Sequence, residues 1–185
     1  MAADVFADVE RRMEKAVEAL QRELQAIRTG RASPALVERL PVEYYGTPTP
    51  LQQIAAIHAT DVRTLTIQPW DRKALPDIER AILKSELGLT PSTDGAVIRL
   101  SIPSLTEERR RDLVKVVRRH AEEGRVAIRN IRRDHKDKLA HLEKAGTLSE
   151  DANRRAVDEL QKLTDRFIKE VDALLAAKEA EIMEV

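Results

Sequence analysis

The chain of 185 residues carries 32 basic and 32 acidic side chains, so its formal charge is zero while 35% of positions are charged and only 3% are aromatic. That length specifies one or two domains, and folding removes roughly 70% of the unfolded surface from water, enough for a core without covalent staples. Without cysteine there is no disulfide, thiol nucleophile, thiolate zinc site or iron–sulfur cluster. The longest unbroken apolar run is residues 173–177, whereas a membrane-spanning helix needs about 20. The first 30 residues hold six acids and five bases with no apolar stretch, which fits neither a secretory signal nor an acid-poor transit peptide; a cytoplasmic protein is expected.

In the N-terminal segment, Phe6, Met13, Leu20 and Ile27 recur at steps of seven, with Val9, Val17 and Leu24 on the same side. This is the packing stripe of a bundle helix, expected to run to Thr29 and Gly30. All eight prolines then fall between Pro34 and Pro103, so the flanks can be long helices while the middle cannot. In that middle, Val42 and Tyr44, Leu65 and Ile67, and Ile98, Leu100 and Ile102 alternate with polar or exposed positions, the period of half-buried strands. Alternation places the Tyr44 and Tyr45 rings on opposite faces, leaving at most one free to stack on a base. A helix is expected over residues 73–87, carrying Ile78, Ala81, Ile82 and Leu87, with Pro76 tolerated only near its first turn.

Beyond Pro103, Thr106 can cap a helix whose first turn carries Glu107 and Glu108 against the positive end of the macrodipole. Its stripe of Leu113, Val117, Ala121, Ile128, Ile131, His135, Leu139 and Leu142 runs on to Gly146. Gly124 is the weak joint, costing about 1 kcal/mol relative to alanine. Ser149 before Glu150 and Asp151 marks a second cap, and the helix after it repeats Leu160, Phe167 and Leu174 beside Ile168, Leu175 and Ile182. None of the three long helices can bury its stripe alone. The reading is therefore α+β: a long three-helix bundle from residues 1–30 and 105–185, with a small β/α/β domain, residues 31–104, inserted in it. Two adjacent backbone segments join the domains, with Gly30, Arg31, Ser104 and Leu105 at the junction, an arrangement that permits hinge motion.

Charge is segregated along the chain. Residues 109–138 hold 12 bases against five acids, net +7, whereas residues 143–185 hold seven against 11, net −4. On an ideal helix Arg111, Arg118, Arg125, Arg129, Arg132 and Lys136 share a stripe roughly 60° wide, centred about 95° from the apolar one. A solvated face is the ordinary explanation of a basic helix. Here, only Asp112, Glu122 and Asp137 are near enough in sequence to neutralise the stripe, and like charges three and four apart destabilise a helix, so a polyanion is the expected partner. Arginine in preference to lysine suits forked bonds to phosphate and stacking on bases.

Catalytic signatures are missing. His58, His120, His135 and His141 form no HExxH and no pair four apart, so no metal site is expected, and His135 lies on the apolar stripe. The chain contains no GxxxxGK[ST], GxGxxG or GxSxG, and its acid pairs sit in first helical turns where the macrodipole accounts for them.

Four longer motifs carry a resemblance: RTGRASP at residues 28–34, VEYYGTPTPL at 42–51, LTEERRRDL at 105–113 and RVAIRNIRRD at 125–134, supported by SED at 149–151 and QKLTD at 161–165. Over essentially its whole length the chain resembles the bacterial ribosome recycling factors. One departure is Ser104, where that family more often has a second proline. The resemblance implies an L-shaped molecule, a three-helix bundle with an inserted β/α/β domain on a two-stranded hinge. It implies a monomeric, non-enzymatic translation factor that binds the post-termination ribosome and, with elongation factor G and GTP, splits it into subunits. The bundle would lie on the ribosomal RNA of the large subunit. No cofactor is implied, since GTP is used by elongation factor G. By motif position Arg129 and Arg132 are the foremost RNA contacts, followed by Arg133, Arg110, Arg28 and Arg31, with Arg118, Arg125 and Lys136 added by the stripe. Arg28 and Arg31 have two readings, RNA contact or a structural role in capping the first helix and bracing the junction. Rival classes are a self-associating coiled-coil scaffold, an RNA-binding protein without recycling activity, and an RNA-directed enzyme lacking a visible constellation.

Overall fold

The computed structural model describes residues 2–184. In chain order the helices are α1 Ala2–Gln25, α2 Leu75–Lys84, α3 Glu107–Lys144 and α4 Glu150–Met183. The strands are β1 Pro41–Tyr44, β2 Thr47–Pro50, β3 Ala55–Asp61, β4 Thr64–Pro69, β5 Pro91–Asp94 and β6 Val97–Ser101. The chain divides into two compact units, one formed by the segment ending at Thr29 together with Glu107–Glu184, the other by Gly30–Thr106.

In the helical unit α1, α3 and α4 each pack on the other two. Contacts of α1 with α3 run antiparallel, Glu23 to His120 and Asp8 to His135, while Glu10 to Arg166, and Thr29 just beyond α1 to Glu181, show that α1 and α4 run parallel. Val9, Met13, Val17, Leu20 and Leu24 meet Leu113, Val117, Ala121, Ile128 and Leu139 and, from α4, Leu160, Phe167, Val171 and Ile182 in the core. Each large apolar side chain so buried contributes about 1.5–3 kcal/mol relative to exposure. Three buried polar groups of this unit have partners: Thr164 Oγ1 donates to the Leu160 carbonyl at 2.8 Å, His135 Nδ1 lies 3.1 Å from the Ile131 carbonyl, and Thr29 Oγ1 donates to Glu181 Oε1 at 3.0 Å. α3 runs unbroken through Gly124 for about 57 Å. Gly146, in the left-handed region at φ 76°, closes it, with the Thr147 amide donating to the Leu142 carbonyl at 3.0 Å. Ser149 then caps α4, its Oγ accepting from the Ala152 amide at 3.1 Å.

α1 stops earlier than the periodicity predicts, at Gln25 instead of Thr29. The Ile27 amide bonds to the Leu24 carbonyl, tightening the last turn, while Thr29 is held from across the bundle by Glu181 at 3.0 Å.

In the small unit, β3, β4, β6 and β5 form an antiparallel sheet in that order, and β1 and β2 form a separate hairpin. Leu65 opposite Leu100 and Ile67 opposite Ile98 line up four core residues on one face, against which α2 buries Ile78 and Ile82. α2 is shorter than expected because Asp71 caps a 3-10 turn at Arg72–Ala74 before it, and Ser85 leaves helical geometry after it. Strands β2, β3 and β5 escape the sequence pattern: they are edge strands with few buried positions, and two of them begin or end in proline. Tyr45 corrects the alternation argument. It leaves the strand at φ 50° in the Tyr45–Gly46 turn, so its ring meets that of Tyr44 edge-on with centroids 4.5 Å apart instead of facing away.

Entry to and exit from this unit are tied to one turn. The Ala32 amide donates to the Val62 carbonyl and the Ile102 amide to the Arg63 carbonyl, both at 2.7 Å. Gly30 sits at φ 77°, where an added Cβ would lie 3.1 Å from Leu105 Cγ. Leu105 is half-buried; Arg31 and Ser104 are exposed.

Candidate nucleic-acid interface

Three arginines of α3, Arg118, Arg125 and Arg132, lie along its seam with α4. Arg118 Nε donates to Glu179 Oε1 at 2.6 Å, and Arg125 donates through Nε and Nη2 to Asp172 Oδ1 at 2.9 and 2.7 Å. Arg125 Nη1 reaches Glu122 at 3.0 Å, and Arg129 Nη1 reaches the other oxygen of Glu122 at 3.3 Å. One turn further, Arg132 Nη1 donates to Gln161 Oε1 at 2.8 Å. Arg111 pairs with Glu107 within α3.

These contacts overturn part of the charge argument. Glu122 neutralises the stripe as expected, but the larger counter-charge comes from α4, through Asp172 and Glu179. The acidic helix therefore stabilises the like-charged row that looked unsupported in sequence. Asp172 foremost, aided by Glu122, holds the Arg125 guanidinium above its already high ordinary value, against the opposing effect of burial. The Arg125 side chain is 19% exposed and that of Arg118 is 64% exposed, so Arg118 is the more available to an outside anion.

Arg133 and Lys136 are exposed and, among the described residues, make no hydrogen bond or ion pair. Arg119, which lies off the predicted stripe and was not singled out by periodicity, shares that condition. Arg110 is half-buried with its Nε unbonded, away from the exposed row. Arg28 is exposed and makes no side-chain bond to the end of α1 among the described residues. Arg31 is exposed and has an interaction partner.

A periodic signal in the sequence does encode the seam. Arg118, Arg125 and Arg132 are spaced by seven, and so are Asp165, Asp172 and Glu179. Because α3 and α4 run antiparallel, the two ladders oppose each other rung by rung. Comparing the helices pairwise, instead of one at a time, exposes that match.

Histidines play no part in this row. His120 Nδ1 lies 3.0 Å from Glu23 Oε2 and 3.8 Å from Glu123 Oε2, and the three groups' ligand atoms lie within 4.8 Å of one another. This half-exposed cluster links α1 to α3. Among the described residues no helix is long and apolar enough to cross a membrane.

The family model described as ribosome recycling factor matches residues 20–183. The chain belongs to the ribosome recycling factor family. Among its relatives, the ribosome-recycling factors of Carboxydothermus hydrogenoformans and Halalkalibacterium halodurans are each 57% identical over 185 residues, covering all of both chains. In structure the chain is similar to a solution structure of the ribosome recycling factor, with a TM-score of 0.72 and 46% identity over 100% of this chain and 98% of that one. It is also similar to the T. thermophilus ribosome recycling factor in a structure that holds it, with E. coli elongation factor G, bound to the E. coli post-termination complex. There the TM-score is 0.64 and the identity 52%, over all of both chains. The α+β architecture expected from the sequence is that of these recycling factors.

Proposed function

We propose that this chain binds the post-termination ribosome and, together with elongation factor G and GTP, splits it into subunits for reuse. Its full-length identity to ribosome-recycling factors carries the reading. A related factor occupies a post-termination complex with elongation factor G. The chain acts as a monomeric, non-enzymatic factor in the cytoplasm, with no cofactor of its own, and the GTPase supplies the energy. Gly30, Arg31, Ser104 and Leu105 serve as the hinge between residues 1–30 with 105–185 and the inserted domain 31–104.

The bundle takes ribosomal RNA along α3. Arg133 and Lys136 are exposed and unpaired, and they meet phosphates first. Arg129 can exchange its exposed partner Glu122, and Arg118 its half-buried partner Glu179, for phosphate, because an ion pair open to solvent contributes only about 0–1 kcal/mol while forked arginine–phosphate bonds are among the stronger polar contacts. Arg132 and Arg129 contribute the principal contacts, with Arg125, Arg110 and Arg28 behind them. Arg31, exposed and already engaged by a partner, keeps both readings, RNA contact or bracing of the junction.

Light scattering of post-termination complexes mixed with the protein, elongation factor G and GTP tests this. Wild type should lower the scattering as subunits separate. Arg132→Ala should fold and melt like wild type yet bind large subunits about tenfold more weakly and fail to split at matched concentration, as expected for loss of a charge-assisted contact of about 1.4 kcal/mol. Normal splitting by Arg132→Ala would remove Arg132 from the interface, and no splitting by wild type with a compatible elongation factor would overturn the functional reading.

A further inference from the structure

The opposed ladders of α3 and α4 are not equivalent at every rung. Glu179 pairs with Arg118 and Asp172 with Arg125, but at the third rung Asp165 does not pair with Arg132. Gln161, one turn earlier on α4, stands between them. Its Nε2 donates to Asp165 Oδ1 at 2.9 Å, while its Oε1 accepts from Arg132 Nη1 at 2.8 Å. An amide is suited to this position because it presents a donor to the acid and an acceptor to the cation at once. Arg132 Nε is buried without a hydrogen-bond partner, and the bond to Gln161 is the one side-chain hydrogen bond Arg132 makes among the described residues.

The consequence is electrostatic. Arg118, Arg125 and Arg129 each face a carboxylate whose charge opposes attraction of a phosphate. Arg132 is oriented by a neutral oxygen, and among the described residues no carboxylate lies within ion-pair distance of it. The structure assigns Gln161 the role of a positioning residue that aims Arg132 while screening it from Asp165. This rests on the reading of Arg132 as an RNA contact. It accounts for two residues of the QKLTD segment that the core does not use, since both Gln161 and Asp165 are exposed.

Removing the amide while keeping the length, Gln161→Met, frees Asp165 to pair with Arg132. Binding to isolated large ribosomal subunits, measured across a salt series, should weaken about two- to fivefold at low salt, the value of an exposed ion pair that must now be broken. In the splitting assay the concentration for half-maximal rate should rise while the saturating rate holds. The informative variant is the double change Gln161→Met with Asp165→Asn. With the competing charge gone, affinity should recover most of the way to the wild-type value, a recovery that a purely structural or directly RNA-binding Gln161 would not permit. In an Arg132→Ala background, Gln161→Met should have no further effect.

Wild-type affinity for Gln161→Met overturns the assignment, as does a double variant as weak as the single one. Wild-type affinity for Arg132→Ala overturns the reading beneath it, so the two failures are distinguishable. Gln161 is exposed, and equal melting temperatures among the variants would tie any loss to binding.

Discussion

Gly124 interrupts a 38-residue helix with the residue least suited, proline aside, to a helix interior. It is not in the left-handed region, so an alanine there is not strained by the backbone. A Cβ at that position would lie 3.4 Å from Leu20 Cδ2, 3.9 Å from Leu20 Cβ and 3.9 Å from Val171 Cγ2, at the near edge of ordinary van der Waals contact. Gly124→Ala therefore gains the helix-propensity difference of about 1 kcal/mol, and a partly buried methyl adds a fraction of the ~0.8 kcal/mol of a fully buried one. The net expectation is about 1–1.5 kcal/mol of added stability, read as a melting temperature roughly 3–5 °C higher by circular dichroism and as a higher urea midpoint at unchanged slope. Gly124→Val should reverse the sign, because its extra methyl groups meet Leu20 and Val171 and overpacking costs about 1–3 kcal/mol. A lower melting temperature for Gly124→Ala would refute the reasoning, since it would mean that the Leu20 contact is repulsive and cannot relax. If the alanine variant is stabler but splits ribosomes more slowly, compliance at this joint belongs to the function.

Two further outcomes follow from local geometry. Gly30→Ala forces a side chain into the left-handed region and sets its Cβ 3.1 Å from Leu105 Cγ, so stability should fall by about 1–2 kcal/mol in urea titration; an unchanged midpoint would show that the segment adjusts freely. The bond from the Tyr45 hydroxyl to Asp71 Oδ2, at 2.8 Å, raises the Tyr45 pKa, and the Lys73 amide, followed by Tyr45, lowers that of Asp71. The depressed carboxylate contributes stability above its unfolded value, lost as pH falls through its folded value; the raised phenol contributes stability below its unfolded value, lost as pH rises through its folded one. The difference in melting temperature between wild type and Tyr45→Phe should therefore be constant between these limits and shrink beyond either of them, and a difference that keeps its full size after acid protonation of Asp71 would dismiss the charge-assisted bond as its source.

Arginine-row function and bundle stability draw on the same α4 residues in different ways. Asp172 and Glu179 keep the row of α3 tolerable in the free protein, which is why the segregated charge does not by itself demonstrate an RNA partner. The proposal of an RNA partner rests instead on the family relationship and on the exposed, unpaired Arg133 and Lys136. Where the row departs from pairing, at Arg132, the departure is local, held by one amide bond to Gln161.

The sequence by itself determined what depends on neighbours along the chain. Confinement of the eight prolines to one segment set the boundary between long helices and strands, steps of three, four and seven placed Met13, Val117 and Phe167 in the core, and Ser149 marked the start of α4 through a bond to the amide three residues on. The resemblance at residues 28–34 and 125–134 identified the family. What remained for the tertiary structure involves groups distant in sequence. The edge strands β2, β3 and β5 bury too little to show a period, and their pairing lies with β1, β4 and β6. The Tyr45 ring is turned back by a positive φ that alternation cannot foresee. Above all, the neutralisation of Arg118 and Arg125 and the screening of Arg132 depend on residues 29 to 61 positions away. Coulomb and hydrogen-bond energies depend on distance in space, and only the antiparallel packing of α3 on α4 converts two separate seven-residue ladders into pairs.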